Sequence, residues 1–266
     1  MSIEFNGSTA LITGATGGIG QAIARALHGR GATVIVTGRR GDVLEQLRAE
    51  LGERVETVVA DLTDPAAVQR LAERADVDIL VANAALPASG KLMGFTADQM
   101  DRALDVNLRA PMQLAHGLLG GMLDRGRGHI VLISSLAGKV ATPGGSIYSA
   151  TKFGLRGFGY ALGGELRGTG VGVTTVFPGF IRDAGMFAES GTKLPRGVGT
   201  RTPEQVASAV LKGIERNRAE VDVAPLTMSY GAKAFALAPG PLTRIQAALG
   251  YDDVARQMEE GQLTKR

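Results

Sequence analysis

Short apolar runs alternate with amphipathic stretches from residue 8 to about residue 225, and this alternation restricts the fold more than any other feature of the 266-residue chain. Ala10–Ile12, Val34–Val36, Val58–Val59, Ile79–Val81, Ile130–Ile133 and Val173–Val176 are apolar at successive positions, with Val221-Asp222-Val223 a weaker seventh run. A strand apolar on both faces needs cover on both faces, as in a parallel sheet sandwiched between helices. Between the runs lie helix signals. Ile19, Ala22, Ile23, Ala26 and Leu27 form one apolar stripe at helical spacing. Thr96-x-x-Gln99 and Thr202-Pro203-x-Gln205 have the form of capping boxes, the second with proline at the first helical position. The pattern predicts an α/β, Rossmann-like, doubly wound parallel sheet of about seven strands with right-handed crossovers and helices on both faces.

Composition narrows the class of function. With 44% hydrophobic and 21% charged residues the chain has material for a full core. The net charge of +3 is scattered, with no basic cluster beyond pairs such as Arg39–Arg40, so nucleic acid is not expected as a partner. Cysteine is absent, which excludes disulfides, thiolate metal sites and a cysteine nucleophile. His28, His116 and His129 are not at metal-ligand spacing, and no metal is expected. The first residues lack a basic segment followed by an apolar run, and no stretch reaches the ~20 apolar residues of a spanning helix, so a cytoplasmic protein is expected.

Two constellations carry chemistry. Thr13-Gly14-Ala15-Thr16-Gly17-Gly18-Ile19-Gly20 leads from the first strand through a glycine turn into the first helix. Such a turn lets backbone approach a pyrophosphate, and the helix start offers unpaired N–H groups to an anion. By itself the spacing also admits an ordinary tight turn, the lesser reading, and its place after the first strand and at the start of the first helix favours the anion site. Tyr148 and Lys152 stand at i and i+4, on one helical face, where an ammonium would lower the phenol's pKa from ~10 toward neutrality and make it a general acid/base. Ser135 follows the fifth strand, at the sheet edge where ligands bind in such folds. Asn107 follows in the helix after the fourth strand, and a lone asparagine there reads first as structural.

Together these residues resemble the short-chain dehydrogenase/reductase family over about residues 5–225. The glycine turn, Asn83-Ala84-Ala85 after the fourth strand, Asn107, Ser135, Tyr148-x-x-x-Lys152 and Phe177-Pro178-Gly179-Phe180-Ile181 stand in family order. The resemblance implies an NADP(H)-dependent oxidoreductase moving a hydride between nicotinamide and a carbonyl or secondary alcohol. Asn107, Ser135, Tyr148 and Lys152 would then be catalytic. Gly14, Thr16, Gly18, Ile19, Arg39, Arg40, Asp61, Leu62, Asn83, Tyr148, Lys152, Pro178, Gly179 and Ile181 would hold the cofactor. Gly38 stands where NAD-preferring relatives place an acid, and Arg39 beside it suits a 2′-phosphate. Two positions depart from the pattern. Ala85 replaces a glycine, and Asp183 stands where many members carry a threonine that reaches the nicotinamide amide, a group Asp183 would still accept from.

The resemblance also implies one catalytic unit over residues 1–225 with a substrate lid over about 180–200, where Met186, Phe187 and Leu194 suit the lining of an apolar pocket, while Lys193 and Arg196 read either as contacts to an acidic substrate or, as is usual for charged lid residues, as facing water. Residues 226–266 read as a helical extension packed on the same domain or on a partner subunit, with Leu242, Ile245 and Leu249 as an apolar stripe started by Pro241. Docking of that stripe to a membrane has only Lys233 and Arg244 in its favour. A fairly apolar small-molecule substrate and a homo-dimer or homo-tetramer are expected, the latter through the helices of Asn107 and Tyr148, whose Gly154, Gly157, Gly159, Gly163 and Gly164 permit close packing. The alternative function is an idle dinucleotide-binding sensor or scaffold, which loss of Tyr148 or Lys152 would have signalled.

Overall fold

The computed structural model describes residues 3–195, 198–241 and 251–263. Among them seven parallel strands form one sheet in the order β3-β2-β1-β4-β5-β6-β7. The strands are β1 (Thr9–Thr13), β2 (Thr33–Gly38), β3 (Val55–Val59), β4 (Ile79–Ala82), β5 (Gly128–Ile133), β6 (Val171–Pro178) and β7 (Glu220–Val223). The register is regular, with Leu11 beside Ile35 on one side and Leu80 on the other. One face is covered by α1 (Gly18–His28), α2 (Gly41–Leu51) and α8 (Pro203–Glu215). The other face is covered by α3 (Pro65–Ala72), α5 (Ala110–Asp124) and α6 (Ser146–Glu165). Successive residues of β1 serve the two faces in turn: Ala10 and Ile12 join one core cluster and Leu11 the other. This is why the strands are apolar throughout.

Both capping boxes form. Thr96 opens α4 (Ala97–Leu104) and Thr202 opens α8, each hydroxyl accepting from the N–H of the glutamine three residues on. Between α4 and α5, residues Asp105–Arg109 make a π turn rather than a regular helix. A short helix, α7 (Gly185–Ser190), lies after β6, and the chain continues into α9 (Leu226–Leu237) and α10 (Tyr251–Gln262). The Leu242, Ile245, Leu249 stripe, Arg244 and Arg196 lie outside the described residues. No helix among the described residues is long and apolar enough to cross a membrane.

The weak seventh run has a physical reason. On β7, Val221 and Val223 pack with α8, whereas Glu220 and Asp222 face the opposite way and meet a buried cation. That cation is Lys139, which is 5% exposed, 2.6 Å from Asp222 and 2.7 Å from Glu220, and 3.9 Å from the centre of the Phe177 ring. Arg156 of α6 completes the group at 2.7 Å from Glu220.

Candidate active site

The strand order reverses between β1 and β4, and a crevice opens at the carboxyl ends of the strands there, where open sheets bind ligands. A cavity of about 1160 Å³ occupies it. That exceeds the ~300–1,000 Å³ of a usual small-molecule site, so it has room for two ligands end to end.

One end is the glycine turn. Gly14 has φ +68°, and a Cβ there would come within 2.8 Å of the Ala84 Cα. A Cβ on Gly20 would run into the Gly14 carbonyl oxygen. These glycines are required by the protein's own packing. Gly17 differs: it starts α1 without any side-chain cap, leaving the first-turn N–H groups to an anion. Gly18 has a further reason, since a Cβ would sit 2.5 Å from that of Ala184 in the segment leading to α7. The turn is held from behind by Asn83, whose Nδ2 donates to the Thr13 carbonyl at 2.9 Å and to the Gly14 carbonyl at 3.3 Å. Asn83 therefore shapes the cradle with its side chain.

At the end of β2 a Cβ on Gly38 would lie 2.7 Å from Thr16. An acidic side chain is thus disfavoured there on packing grounds as well as absent from the sequence. Arg39 and Arg40 follow at the cavity wall. Arg40 Nη2 donates to the Thr16 carbonyl, while Arg39 has no hydrogen-bond partner among the described residues and faces the Asp61 charge. For Asp61, burial raises the carboxyl pKa, but hydrogen bonds from Thr63 and the Arg39 and Arg102 charges outweigh it and hold it low. Leu62, Pro178, Gly179 and Ile181 also line the cavity.

Beyond the turn stand Ser135, Tyr148 and Lys152, all on the cavity wall. Ser135 Oγ accepts from the Ala137 N–H at 3.1 Å, which fixes its hydroxyl at the end of β5. Lys152 is 2% exposed, its ammonium donating to the Ile133 carbonyl at 3.0 Å and lying 5.6 Å from the centre of the Tyr148 ring. The expected depression of the tyrosine pKa by this cation is not what the protein alone produces. Burial pushes the Tyr148 phenol up to about 12, against a hydrogen bond from Ser135 that pulls it down. Burial likewise pushes the Lys152 amine down to about 8. Desolvation disfavours both charged forms, and at this separation it wins over the pair's attraction.

Four residues that the sequence singles out do not line the cavity. Asn107 is fully buried, its Oδ1 accepting from the Leu86 N–H at 2.6 Å and its Nδ2 donating to the Leu86 carbonyl at 2.9 Å. Both ends of its amide are committed, and it does not line the cavity. It lies in the π turn, where the wider backbone loop shifts the carbonyl ladder. Asp183 adopts φ +69°, pairs with Arg182 at 3.4 Å and is not among the residues lining the cavity. Lys193 is exposed and Leu194 is absent from the cavity wall, whereas Met186 and Phe187 line it.

The far end was the least legible. Met228, Ala232 and Phe235 of α9 and Val254, Ala255 and Met258 of α10 line it. Nothing in their spacing connects them to a site, because their neighbours in space are distant in the chain.

The geometry agrees with the comparisons. Residues 8–195 match the family model described as short chain dehydrogenase. The chain belongs to this family. It is 33% identical over 271 residues to the ketoacyl reductase HetN of Nostoc sp., covering 97% of this chain and 94% of that protein. It is 41% identical over 186 residues to nodulation protein G of Rhizobium sp., covering 68% of this chain and 76% of that one. A short-chain dehydrogenase from Sphingobium yanoikuyae, solved in complex with NADPH, superposes with a TM-score of 0.76 at 31% identity, covering 89% of this chain and 95% of that one.

Proposed function

We propose that this short-chain dehydrogenase is an NADP(H)-dependent oxidoreductase acting on a carbonyl or secondary-alcohol carbon, with Tyr148 as its general acid/base. The observation that carries the reading is the convergence of Ser135, Tyr148 and Lys152 on one wall of a cavity whose other end is an uncapped helix start flanked by Arg39. When bound, the nicotinamide supplies the hydride in reduction or takes it in oxidation.

The donor set fits that cofactor. The Gly18 and Ile19 N–H groups would meet the pyrophosphate, the Gly17 N–H being held by the Gly14 carbonyl at 3.1 Å, the Arg39 guanidinium the 2′-phosphate with Arg40 beside it, and Asp61 and Leu62 the adenine. Pro178, Gly179 and Ile181 would border the nicotinamide. Gly14, Thr16, Gly18 and Asn83 act by shaping the turn.

In reduction the carbonyl oxygen gains negative charge as the hydride reaches its carbon. Ser135 donates a hydrogen bond to that oxygen, and Tyr148 transfers its proton to it, leaving an alcohol and a phenolate. A phenol held near 12 is fully protonated at neutral pH and so always ready to give the proton. Lys152, the buried cation beside the ring, stabilises the phenolate and returns the proton. Asn107 acts through position: it pins the Leu86 loop to the π turn. The idle-sensor reading has no observation in its favour.

The site's apolar far end supports a fairly apolar substrate. A homo-oligomer is supported by one face of α6, where Phe153 and Tyr160 are 39% and 57% exposed and a Cβ on Gly157 or Gly164 would meet nothing within 4 Å. Gly159 instead faces Thr175 of the protein's own sheet, and Gly154 faces Leu108. Light scattering should give a multiple of 27.6 kDa at micromolar concentration, and a monomer mass would refute this.

The functional test is a panel of ketones and secondary alcohols offered with NADP(H) and NAD(H), followed by the absorbance of the reduced nicotinamide. Turnover of apolar ketones with NADPH, and little with NADH, is the expected result. No change in the reduced cofactor with any compound would refute the reading.

A further inference from the structure

The ionic group around Lys139 reaches the elements that carry the catalytic side chains. Lys139 ends the helical turn Leu136–Gly138 that follows Ser135, and its ammonium lies 2.7 Å from Glu220 and 2.6 Å from Asp222 of β7. The two oxygens of Glu220 are divided: Oε2 meets Lys139, and Oε1 meets Arg156 of α6 at 2.7 Å. Glu220 therefore links the turn that carries Ser135 to the helix that carries Tyr148 and Lys152. Arg156 stands one helical turn beyond Lys152. The centre of the fully buried Phe177 ring lies 3.9 Å from the Lys139 ammonium and 5.8 Å from the Arg156 guanidinium, directly before Pro178.

The Ser135 turn also touches α6 at a second place. Ser134 Oγ donates to the Lys152 carbonyl at 2.9 Å, and a Cβ on Gly138 would lie 2.6 Å from that same oxygen. One attachment leaves a turn free to pivot; the second, through Lys139, Glu220 and Arg156, removes that freedom. Its orientation matters because Ser135 has one hydroxyl proton and two acceptors in reach, the Tyr148 oxygen and the Pro178 carbonyl at 3.5 Å. Stability alone does not account for four buried or half-buried charges, since apolar side chains of similar volume often serve as well. What an ionic group adds is direction.

We infer that Glu220 and Lys139 are positioning residues for the reaction: their bridge to Arg156 holds the Ser135 hydroxyl on the Tyr148 oxygen rather than on the Pro178 carbonyl. The inference rests on the oxidoreductase reading for the chemistry that Ser135 and Tyr148 perform. Lys139, Arg156, Glu220 and Asp222 do not line the cavity, so they act through Ser135 and not on a substrate.

The test alters the bridge and reads the tyrosine directly. In protein carrying carbon-13 at the oxygen-bearing ring carbon of tyrosine, the Tyr148 NMR signal is the one missing from Tyr148→Phe. Ser135→Ala removes the hydrogen bond and should shift that signal. Glu220→Gln keeps the shape but has one acceptor oxygen, enough for one cation and not both, so it should shift the signal in the same direction. Lys139→Met combined with Asp222→Asn removes one cation and one carboxylate together, leaves no lone buried charge, and should do the same. With NADPH and a ketone, kcat in either bridge variant should fall by ~10-fold, short of the ~10²–10³ for losing a donor outright, with KM and NADPH affinity unchanged. In a Ser135→Ala background, Glu220→Gln should cost nothing further, whereas a merely structural role would cost the same in both backgrounds. A Tyr148 signal unmoved by the bridge variants or by Ser135→Ala would overturn the inference. So would equal kcat losses in the two backgrounds, or failure of both bridge variants to fold. Absence of turnover in the unaltered protein would break the oxidoreductase reading alone, since the Tyr148 signal still decides this one.

Discussion

The two ends of the cavity are built by different means. The nucleotide end is made of backbone: glycines that a Cβ would wedge apart, an uncapped helix start, and an asparagine amide tied to two carbonyls. The substrate end is made of side chains on α7, α9 and α10, whose contacts join residues as far apart as Met186 and Gln262. Backbone geometry tolerates no variation without loss of the turn. A wall of methionine, phenylalanine and valine side chains can change residue by residue and still exclude water. One end therefore fixes the cofactor, and the other is free to set the substrate.

The largest expected effect falls between the two ends. Tyr148→Phe removes the transferable proton but keeps the ring, so turnover should fall by ~10²-fold or more while NADPH affinity is unchanged. Near-normal turnover in this variant would end the assignment. Arg39→Ala tests the nucleotide end alone. It should weaken NADPH binding by ~1.5–3 kcal/mol, the range for a hydrogen bond to a charged group, and leave NADH binding unchanged. Equal losses for both cofactors would show that Arg39 serves something other than the 2′-phosphate.

The pH dependence sharpens the chemistry at the junction. Lys152 titrates near 8 in the folded protein and Tyr148 near 12, so rising pH removes the lysine charge first. Reduction should be flat up to about pH 8 and then fall by about tenfold per pH unit. Nitrogen NMR on labelled lysine should show one amine titrating near 8, lost in Lys152→Met. The same shift has a stability sign. The unfolded chain holds this proton up to about 10.5, so the contribution of Lys152 to stability increases between about pH 8 and 10.5. The smallest effect tests the substrate end. Met258→Ala should raise KM for an apolar ketone by about fivefold, near the ~1 kcal/mol of the methylenes lost, with NADPH affinity unmoved. A parallel loss of NADPH affinity would erase the distinction between the ends.

This division also decides what could be read from the chain. The sheet was legible because its central strands are apolar on both faces, and the nucleotide end because its residues are neighbours in sequence, Thr13 to Gly20 and Gly38 to Arg40. Ser135, Tyr148 and Lys152 were legible through the family's spacing. The pKa values were not, because desolvation depends on what surrounds a side chain, and the i, i+4 spacing of Tyr148 and Lys152 carries no information about that. The role of Asn107 was half legible: its structural commitment agrees with the residue-level reading, while Leu86, its partner, carried no signal. The substrate wall was largely hidden, since α9 and α10 reach it only through tertiary packing and Gln262 is an unremarkable glutamine in the sequence.

The Lys139 group has a consequence outside catalysis. Both margins of a seven-stranded sheet present unpaired N–H and C=O groups to any other strand that approaches, which is how sheets nucleate aggregates. At one margin, β7 is only four residues long and carries Glu220 and Asp222, neutralised by Lys139 and Arg156. At the other, β3 carries Glu56, paired to Arg74 at 2.7 Å. A foreign strand docking at β7 would have to accommodate inward carboxylates whose cations are already engaged. Lys139 therefore contributes to keeping the sheet finite, and its loss would leave Asp222 without its cation on an edge strand, with Glu220 held by Arg156 alone.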